Sequence, residues 1–319
     1  MNKTSKLLIF AISLVVFGLL IFFCALWSND WDFTILSTTE NVHNSYEITE
    51  NFSDISIKAD TADILFALAQ DGKCRVELYE KTRELHTVLV EDNTLSINVV
   101  NQKKWYDYIS FGFSEDKITV YLPKAEYDSL FINTDTSDIE IPSDFSFESI
   151  DISLSTGDTK SYSSADSIKI SSSTGDICVE NVNSKQMELS VSTGDVTVSS
   201  VSCEGKVQID VSTGKAQLTN LSCASLVSNG NTGRVTLTGV IVSGALHIER
   251  STGDIKFDSC DANELHIKTS TGDVTGTLLS GKYFVPVSDT GDISTPAPEG
   301  DEVCEITTST GDIEIEIKK

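Results

Sequence analysis

Positively charged side chains are scarce in this sequence, and their scarcity argues against a nucleic acid partner. The 319 residues contain 23 Lys and Arg against 48 Asp and Glu, which gives a net charge of −25. Binding along a phosphate backbone needs clustered Lys and Arg, which this chain does not supply. We therefore expect no nucleic acid to bind. The acidic surface would be solvated, or associated weakly with cations such as calcium.

The sequence also lacks the short motifs that place catalytic or cofactor-binding groups. It contains no nucleophile elbow, phosphate-binding loop or metalloprotease motif. Its seven cysteines are too few for a dense disulfide framework in a chain of this length. The sequence thus predicts no catalytic residues, no cofactor and no metal centre, and it leaves the residues that bind a partner unknown.

Charged residues are absent from 7 to 27, a run of 21 residues. At 1.5 Å per residue, a helix of this length reaches about 31 Å, enough to cross a bilayer. Lys3 and Lys6 precede the run and acidic residues follow it, so the positive-inside rule predicts a cytoplasmic tail and an extracytoplasmic remainder. We expect a single-pass anchor in the cell membrane; a cleaved signal peptide is the alternative.

What the sequence has in abundance is one repeated tetrapeptide, Ser-Thr-Gly-Asp. Copies and close variants of it recur every 18 to 20 residues through the second half of the chain. A period this regular indicates a repeat architecture. The threonines of the repeats are Thr156, Thr174, Thr193, Thr213, Thr232, Thr252, Thr271, Thr290 and Thr310.

Each repeat, numbered from its threonine as position zero, alternates apolar and polar residues on both sides of the glycine. Positions −6 and −4 are usually apolar, as in Val207 and Ile209, and so are positions +3 and +5, as in Val196 and Val198. Alternation with period two about a glycine turn predicts two short strands per unit. A second corner is expected near +9 to +12, and the unit leaves no room for a helix.

We therefore predict an all-β fold, a single-stranded parallel β-solenoid with about 19–20 residues per rung. Like residues of successive rungs would stack about 4.8 Å apart. From Thr136, in a degenerate copy, to Thr310 are nine intervals between units, which give a rod of roughly 43 Å. The glycine corners would lie in a single file, with each unit stacked on the unit before it in the chain. The charged C-terminal strand, with Glu314 and Glu316, would then be the exposed edge.

Before the repeats, the sequence predicts a less regular β region that caps the coil. Ile55, Ile57, Ile64 and Phe66 fit the repeat template without its glycine, and Glu91-Asp92-Asn93 predicts a hairpin turn. The predicted domains are a cytoplasmic tail at 1–6, a transmembrane helix at 7–27, a linker at 28–45, an N-terminal β region at 46–129 and the solenoid repeats at 130–319.

The order of these segments resembles a known family. Ile118-Thr-Val-Tyr-Leu-Pro123, Leu130-Phe-Ile-Asn-Thr134 and the repeated Ser-Thr-Gly-Asp-Ile are similar to the bacterial "putative adhesin" β-strand-repeat family of cell-envelope proteins, over residues 45–319. The resemblance implies an extracytoplasmic β-solenoid on an N-terminal membrane anchor, without established catalysis. Surface adhesion or envelope-stress sensing is the function that it implies.

The residue after each glycine forms a column that is acidic at all but two positions. Stacked carboxylates repel each other, so something must compensate. Calcium between rungs is one hypothesis, although the Gly-Gly-x-Gly-x-Asp repeat of calcium-binding β-rolls is absent. We favour the hypothesis that the Asp and Thr side chains accept hydrogen bonds from N–H groups of the corners. The column comprises Asp138, Asp158, Asp176, Asp195, Lys215, Arg234, Asp254, Asp273, Asp292 and Asp312.

Two histidines form a second candidate site. His247 and His266 share position −5 on adjacent repeats, with Glu249 beside them on the same face. Two imidazoles and a carboxylate could hold a surface zinc ion. The adjacent Lys268 argues against zinc, so a pair of solvated histidines is the favoured interpretation.

Aromatic residues cluster in the N-terminal region and form a third candidate. Tyr and Trp are good contact anchors for a sugar or a protein. Packing over the open end of the solenoid is the interpretation that we favour. The cluster comprises Trp105, Tyr106, Tyr108, Phe111 and Phe113.

The cysteines give weaker evidence for a site. Cys203 and Cys223 share a position on adjacent repeats and could form a disulfide or merely stack. Cys260 and Cys304 fall on inward positions and are expected to be small buried hydrophobes. Cys178 points outward at +4 and would be the reactive thiol, if the chain has one.

Taken together, these patterns predict a membrane-anchored extracytoplasmic β-solenoid that is not an enzyme. It would bind an unknown envelope protein or glycan, as an adhesin or as part of an envelope-stress module. The alternative is a structural envelope protein that self-associates by end-to-end strand addition or side packing. An envelope enzyme with an unrecognised site is a third and less favoured hypothesis.

Overall fold

A computed structural model describes residues 3–28, 41–81, 84–101 and 116–318. The described chain begins with helix α1 (Lys3–Trp27). Its segment Leu7–Trp27 is long and apolar enough to cross a membrane, which fits a single-pass anchor and a signal sequence equally. Most of the predicted linker lies outside the described residues.

The rest of the described chain is built almost entirely of β-strands. Those that precede the regular coil are β1 (Asn41–Ile48), β2 (Asp54–Ala59), β3 (Asp63–Leu68), β4 (Cys74–Lys81), β5 (Glu84–Glu91), β6 (Thr94–Asn101) and β7 (Lys117–Leu122). Those of the regular coil are β8 (Glu126–Thr136), β9 (Ile139–Ile141), β10 (Ser146–Thr156), β11 (Thr159–Ser161), β12 (Ser164–Thr174), β13 (Ile177–Glu180), β14 (Asn183–Ser184), β15 (Gln186–Thr193), β16 (Val196–Cys203), β17 (Lys206–Thr213), β18 (Ala216–Cys223), β19 (Ser225–Thr232), β20 (Val235–Thr238), β21 (Ile241–Thr252), β22 (Ile255–Thr271), β23 (Val274–Leu278), β24 (Tyr283–Thr290), β25 (Ile293–Ser294), β26 (Val303–Thr310) and β27 (Ile313–Ile317).

The coil is a parallel β-solenoid, as predicted. Strands of successive repeats pair in parallel and in register, so that Thr174 pairs with Thr156 on one side and with Thr193 on the other. The inward side chains, such as Val207 and Ile209, are fully buried and belong to one continuous core. Each coil therefore obtains its hydrogen bonds and much of its apolar burial from its neighbours.

The glycine corners lie in a single file, also as predicted. Gly157, Gly175 and Gly194 have φ values of 126°, 127° and 147°. A Cβ atom added to Gly194 would lie 2.0 Å from the carbonyl oxygen of Gly175, and one added to Gly175 would lie 2.1 Å from that of Gly157. Only glycine combines this backbone conformation with so close an approach, which explains why the sequence repeats it.

Each coil has two further bends, of which the sequence predicted one. The chain bends at 185, 204–205 and 224, which are positions +11 and +12 of their repeats, within the predicted second corner. An additional corner lies at +7, where Asn181, Ser200, Asn220 and Ser259 have φ values of 51–56°. Asparagine tolerates this left-handed conformation well, but serine at +7 carries no distinctive signal. The coil thus has three straight segments.

The N-terminal region starts the coil and then closes its first end with antiparallel strands. β2 and β3 stack on β8 and β9, which confirms the degenerate first repeat. β6 and β7 pair with β2 and β3 in parallel, and β5, β4 and β1 add antiparallel strands beyond them. Asp92 and Asn93 form the predicted hairpin turn between β5 and β6, with φ values of 47° and 65°.

The last two units stack in the reverse of their chain order, which corrects the prediction that each unit follows the one before it. β26 pairs with β22 on one side and with β24 on the other, and β27 lies likewise between β23 and β25. The unit of Thr310 is therefore interior, and the unit of Thr290 is outermost. The prediction that the strand with Glu314 and Glu316 forms the exposed edge is wrong for Glu314, which pairs with Ser294 of β25, whereas no strand of the described residues pairs with Glu316 on that side.

Pro286 provides a physical reason for this inversion. The backbone N–H of Tyr283 donates to the carbonyl of Glu302, and successive residues of a strand direct their backbone groups to alternate sides. The nitrogen of Pro286 therefore lies on the free edge of β24, where a missing N–H costs nothing, whereas an interior coil would lose a hydrogen bond. The buried Lys282 stabilises the inverted arrangement. Its Nζ atom lies 2.8 Å from Asp261 Oδ1 and also forms an ion pair with Glu302.

Candidate functional site

Hydrogen bonds that run from coil to coil build the aspartate column. The Oδ1 atom of each Asp except the outermost, Asp292, accepts the backbone N–H of the next column residue: Asp158 N lies 2.9 Å from Asp138 Oδ1, and Asp176 N lies 2.8 Å from Asp158 Oδ1. Asp292 N donates to Asp312 Oδ1 in the same way, following the inverted stacking order. The hypothesis that side chains accept the N–H groups of the corners is confirmed for Asp, and its part that concerns Thr stays a prediction.

Lys215 and Arg234 interrupt the column and offset part of its charge. The backbone N–H of Lys215 still donates to Asp195 Oδ1 at 2.8 Å, and its Nζ atom lies 3.9 Å from Oδ2 of the same residue. Arg234 Nη2 lies 2.9 Å from Asp254 Oδ2. Because these side chains are exposed, each pair contributes at most about 1 kcal/mol. Lys215 and Arg234 thus reduce the repulsion between the carboxylates next to them in the column.

No metal site assembles in the part of the chain that the structure describes. Groups of three or more His, Cys, Asp or Glu side chains that could hold a metal ion do not occur there. In most of the column, one carboxylate oxygen already accepts an N–H group. Weak calcium association along the column stays a prediction.

His247 and His266 lie side by side, but their neighbours differ from those of the zinc hypothesis. The ring centroids are 6.3 Å apart. His266 Nδ1 lies 2.9 Å from Glu305 Oε2, a contact that only the inverted stacking creates. Lys268 Nζ donates to Glu249 Oε1 at 2.7 Å, and this hydrogen bond lowers the pKa of Glu249. Glu249, the carboxylate that would complete a zinc site, is therefore hydrogen-bonded to Lys268 instead.

The cysteines are free thiols. Cys203 and Cys223 are buried on adjacent coils, and burial raises the pKa of Cys223 to about 12. Cys260 and Cys304 are buried, as predicted. Cys178 is half-buried, and burial together with a hydrogen bond to a neighbouring glutamate raises its pKa to about 11. Its thiol is thus almost fully protonated at neutral pH and is not an activated nucleophile.

The predicted aromatic cluster lies outside the described residues, so its packing over the end of the solenoid stays a prediction. The residues concerned are Trp105, Tyr106, Tyr108, Phe111 and Phe113.

A long groove, which we call the corner groove, runs along the bend at +11 and +12 across five coils. Its volume is about 710 Å³, and its floor includes Tyr127, Phe147, Ala165 and Ser184. The rings of Tyr127 and Phe147 lie 5.7 Å apart. Two outward columns flank the floor and carry a net negative charge. Their charged members are Glu126, Asp128, Glu148, Asp166, Glu204 and Lys185.

The sequence prediction missed the corner groove because it aligned the repeats on the glycine corner. The groove is formed by positions −10 and −8, which lie outward on either side of the buried position −9 and stack from coil to coil. Lys185 is the one basic residue among those that line it, and its Nζ atom is 2.6 Å from Asp166 Oδ2. Comparing the repeats at these two positions would have shown the acidic bias, but not the concave shape.

An arginine is buried inside the coil, at an inward position. Arg250 is 2% exposed, and burial lowers its pKa to about 10. Its Nη2 atom donates to Ser228 Oγ at 3.1 Å, and its Nη1 atom donates to the carbonyl of Glu249 at 3.2 Å. Gly230 provides the space, because a Cβ atom there would lie 2.5 Å from Arg250 Nη1. This cation fills the core and faces no surface.

Several solved structures are similar to this chain and share low identity with it. A structure described as a putative adhesin from Bacteroides fragilis is 15% identical over 87% of this chain and 97% of its own, with a TM-score of 0.43. One described as a putative adhesin from Parabacteroides distasonis is 12% identical over 76% and 98%, with a TM-score of 0.47. One described as a putative lipid binding protein, also from Parabacteroides distasonis, is 16% identical over 73% and 94%, with a TM-score of 0.43.

Comparison with curated proteins finds no match. The family model described as Toastrack DUF4097 matches residues 52–212 and again residues 205–319. The two matches together span the first coil, the regular repeats and the inverted C-terminal units. The chain therefore belongs to the Toastrack DUF4097 family.

Proposed function

We propose that this protein is a membrane-anchored, extracytoplasmic binding protein without enzymatic activity, of the adhesin or envelope-stress type. Helix α1 would hold it in the bilayer with its N-terminus in the cytoplasm, and the solenoid would present a rigid surface at a distance from the membrane. The names of the similar solved structures are consistent with a surface role for such proteins, and the family resemblance implies the same role.

The corner groove is the observation that carries this proposal. Because the coils stack in register, the two columns that flank its floor repeat at each step of about 4.8 Å. An extended protein segment or a glycan chain laid along the groove would thus meet similar groups at each coil. The flanking carboxylates supply hydrogen-bond acceptors, while Tyr127 and Phe147, each 5% exposed, close the floor beneath the ligand.

The outward face of the second segment gives further support for a function other than catalysis. Its +4 column contains no pair of acidic residues of the kind that a solenoid hydrolase needs. The column reads Lys160, Cys178, Thr197, Gln217, Thr236, Lys256, Thr275, Ser294 and Glu314.

Self-association is the second candidate, and the structure bears on one form of it. End-to-end strand addition needs an edge that offers N–H groups, and Pro286 removes a central one from the outer edge of the stack. Side packing between solenoids is not affected by this residue. Sedimentation of the full chain in detergent at rising concentration separates a binding protein, which stays monomeric, from a self-associating one.

Site-specific photo-crosslinking in intact cells tests the binding function. A photoreactive residue at Ser146, which lines the corner groove, is expected to trap a discrete partner. The same residue at Thr197, outside the groove on the +4 column, serves as the matched control and is expected to trap none. Equal crosslinking at the two positions, or none at either, would contradict the groove as the binding surface.

Topology has its own test. Asp301→Cys places a thiol on an exposed loop of the solenoid. A membrane-impermeant maleimide should label this thiol in intact cells whose envelope outside the cell membrane has been made permeable to the reagent. A thiol introduced at Thr4, within the predicted cytoplasmic tail, should react only after lysis. Labelling of the tail but not of the loop would contradict the proposed orientation.

A further inference from the structure

The outermost coil of the stack has an exposed apolar surface that the other coils lack. Outside α1, eight large apolar side chains of the described residues are exposed, and five of them belong to this unit and the turn that leads into it. These five are Leu279, Tyr283, Val285, Val287 and Ile293.

Three of these side chains form one surface on the outward face of β24, which we call the terminal patch. Tyr283, Val285 and Val287 alternate along the strand and are 53%, 41% and 48% exposed. Polar residues occupy most of the corresponding positions of the neighbouring coils. Phe284, on the opposite face, is buried. β24 is thus apolar on both faces, a composition typical of strands that are covered on both sides.

Backbone pairing does not explain what covers this strand. β24 pairs with β26 on one side, and a free edge ordinarily accepts another strand. Pro286 has no N–H group to offer at the centre of that edge, so an added strand would lack a central hydrogen bond. An occupant must therefore contact the side chains of the terminal patch.

Charge decides among the possible occupants. Residues 279–318 contain nine acidic and two basic residues, and Lys282, one of the two, is buried. Asp289 on β24, and Glu299 and Asp301 in the loop after β25, are exposed. A second copy of this chain, or an anionic membrane, would meet like charge here, whereas a basic segment would meet opposite charge.

The small area of the terminal patch also favours a short segment over a second copy of the chain. A stable dimer buries about 800 Å² on each partner, whereas three side chains expose on the order of 300 Å². Alternate residues of a strand lie about 7 Å apart on one face. The terminal patch therefore matches a short extended segment with an apolar side chain at every second position.

We propose that the terminal patch docks an extended segment of another protein in which apolar residues alternate with lysine or arginine. This inference rests on the binding function proposed above, but it uses a surface different from the corner groove. The apolar side chains of the segment would cover Tyr283, Val285 and Val287, and its long basic side chains, which start on the opposite face of the segment, would bend around its edge toward Asp289 and the acidic loop.

Fluorescence anisotropy with a synthetic peptide tests the proposal. The probe is a labelled seven-residue peptide of alternating Lys and Leu, titrated with the full chain in nanodiscs of zwitterionic phosphatidylcholine. Saturable binding is expected. Replacing Leu by Thr in the probe should weaken it at least tenfold, and replacing Lys by Glu should abolish it. These changes alter only the peptide, so they do not depend on the folding of a variant.

Substitutions in the protein then locate the site. The double variant Val285→Thr and Val287→Thr keeps the shape and strand preference of both residues and should bind the Lys-Leu peptide at least tenfold more weakly. Ile241→Thr, at an exposed apolar residue of another coil, is the matched control and should bind like the natural chain. The unfolding midpoints of all three proteins verify that they are folded.

Several results would overturn the proposal. They are an unchanged affinity of the double variant, an equal loss in Ile241→Thr, or binding of the Glu-Leu peptide. Patch-dependent dimerisation in sedimentation, or patch-dependent binding to phosphatidylglycerol vesicles, would assign the surface to a second copy or to a membrane instead. Crosslinking at Ser146 in the double variant reports separately on the corner groove, so failure of this proposal is distinguishable from failure of the proposed function.

Discussion

Gly194→Ala tests the stacking of the corners most directly. Gly194 has a φ of 147°, and a methyl group there would lie 2.0 Å from the carbonyl oxygen of Gly175, against an ordinary contact of 3.4 Å or more. The backbone strain costs about 1–3 kcal/mol. Moving the coils apart also weakens the hydrogen bonds from Gly175 N to Thr193 O and from Asp195 N to Asp176 Oδ1, each contributing about 1 kcal/mol. We expect a total loss of about 3–5 kcal/mol in the free energy of unfolding.

Gly72→Ala is the matched control. Gly72 also has a positive φ, 71°, but a Cβ atom there would meet nothing within 4 Å, so we expect a loss of only about 1–2 kcal/mol from the backbone conformation. Urea unfolding of the full chain in detergent, followed by circular dichroism of the β-structure, measures both. If the midpoint of Gly194→Ala falls no further than that of Gly72→Ala, the close approach of the corners is not what requires glycine.

Three further changes probe other features of the stack. Asp176→Ala removes the acceptor of the N–H of Asp195 and should lower the free energy of unfolding by about 1 kcal/mol; Asp292→Ala, at the end of the column, should cost less, and equal losses would count against the capping role. Pro286→Thr restores an N–H group to the free edge, so sedimentation velocity should show larger species at rising concentration; a monomer throughout would show that this proline does not block strand addition. Burial lowers the pKa of Lys282, but its hydrogen bonds to two carboxylates prevail and raise it. The resulting stabilisation is complete below the unfolded pKa of about 10.4 and is lost as the pH rises through the higher folded value, so the unfolding midpoint should drop as the pH rises above about 10.4, and more in the natural chain than in Lys282→Met.

The periodic part of this fold could be predicted because its cause is local. A glycine at each corner, with apolar residues such as Val207 and Ile209 at every second position, determines where the chain turns and which face lies inward. The aspartate column follows from the same spacing, since residues one unit apart stack. The corner at +7 escaped prediction because Ser200 and Asn220 adopt a left-handed conformation that their neighbours impose, and neither residue signals it unambiguously.

By itself, the sequence determined the apolar N-terminal segment, the parallel coil, the single file of glycine corners and the capping role of the aspartates. Only the tertiary structure decided the order of the last two units, the contact between His266 and Glu305 that depends on it, and the corner groove. The physical reason is that every unit offers nearly the same edge, so the repeat alone does not select its neighbour. The missing N–H group of Pro286, and the contacts of Lys282 with Asp261 and Glu302, make that selection.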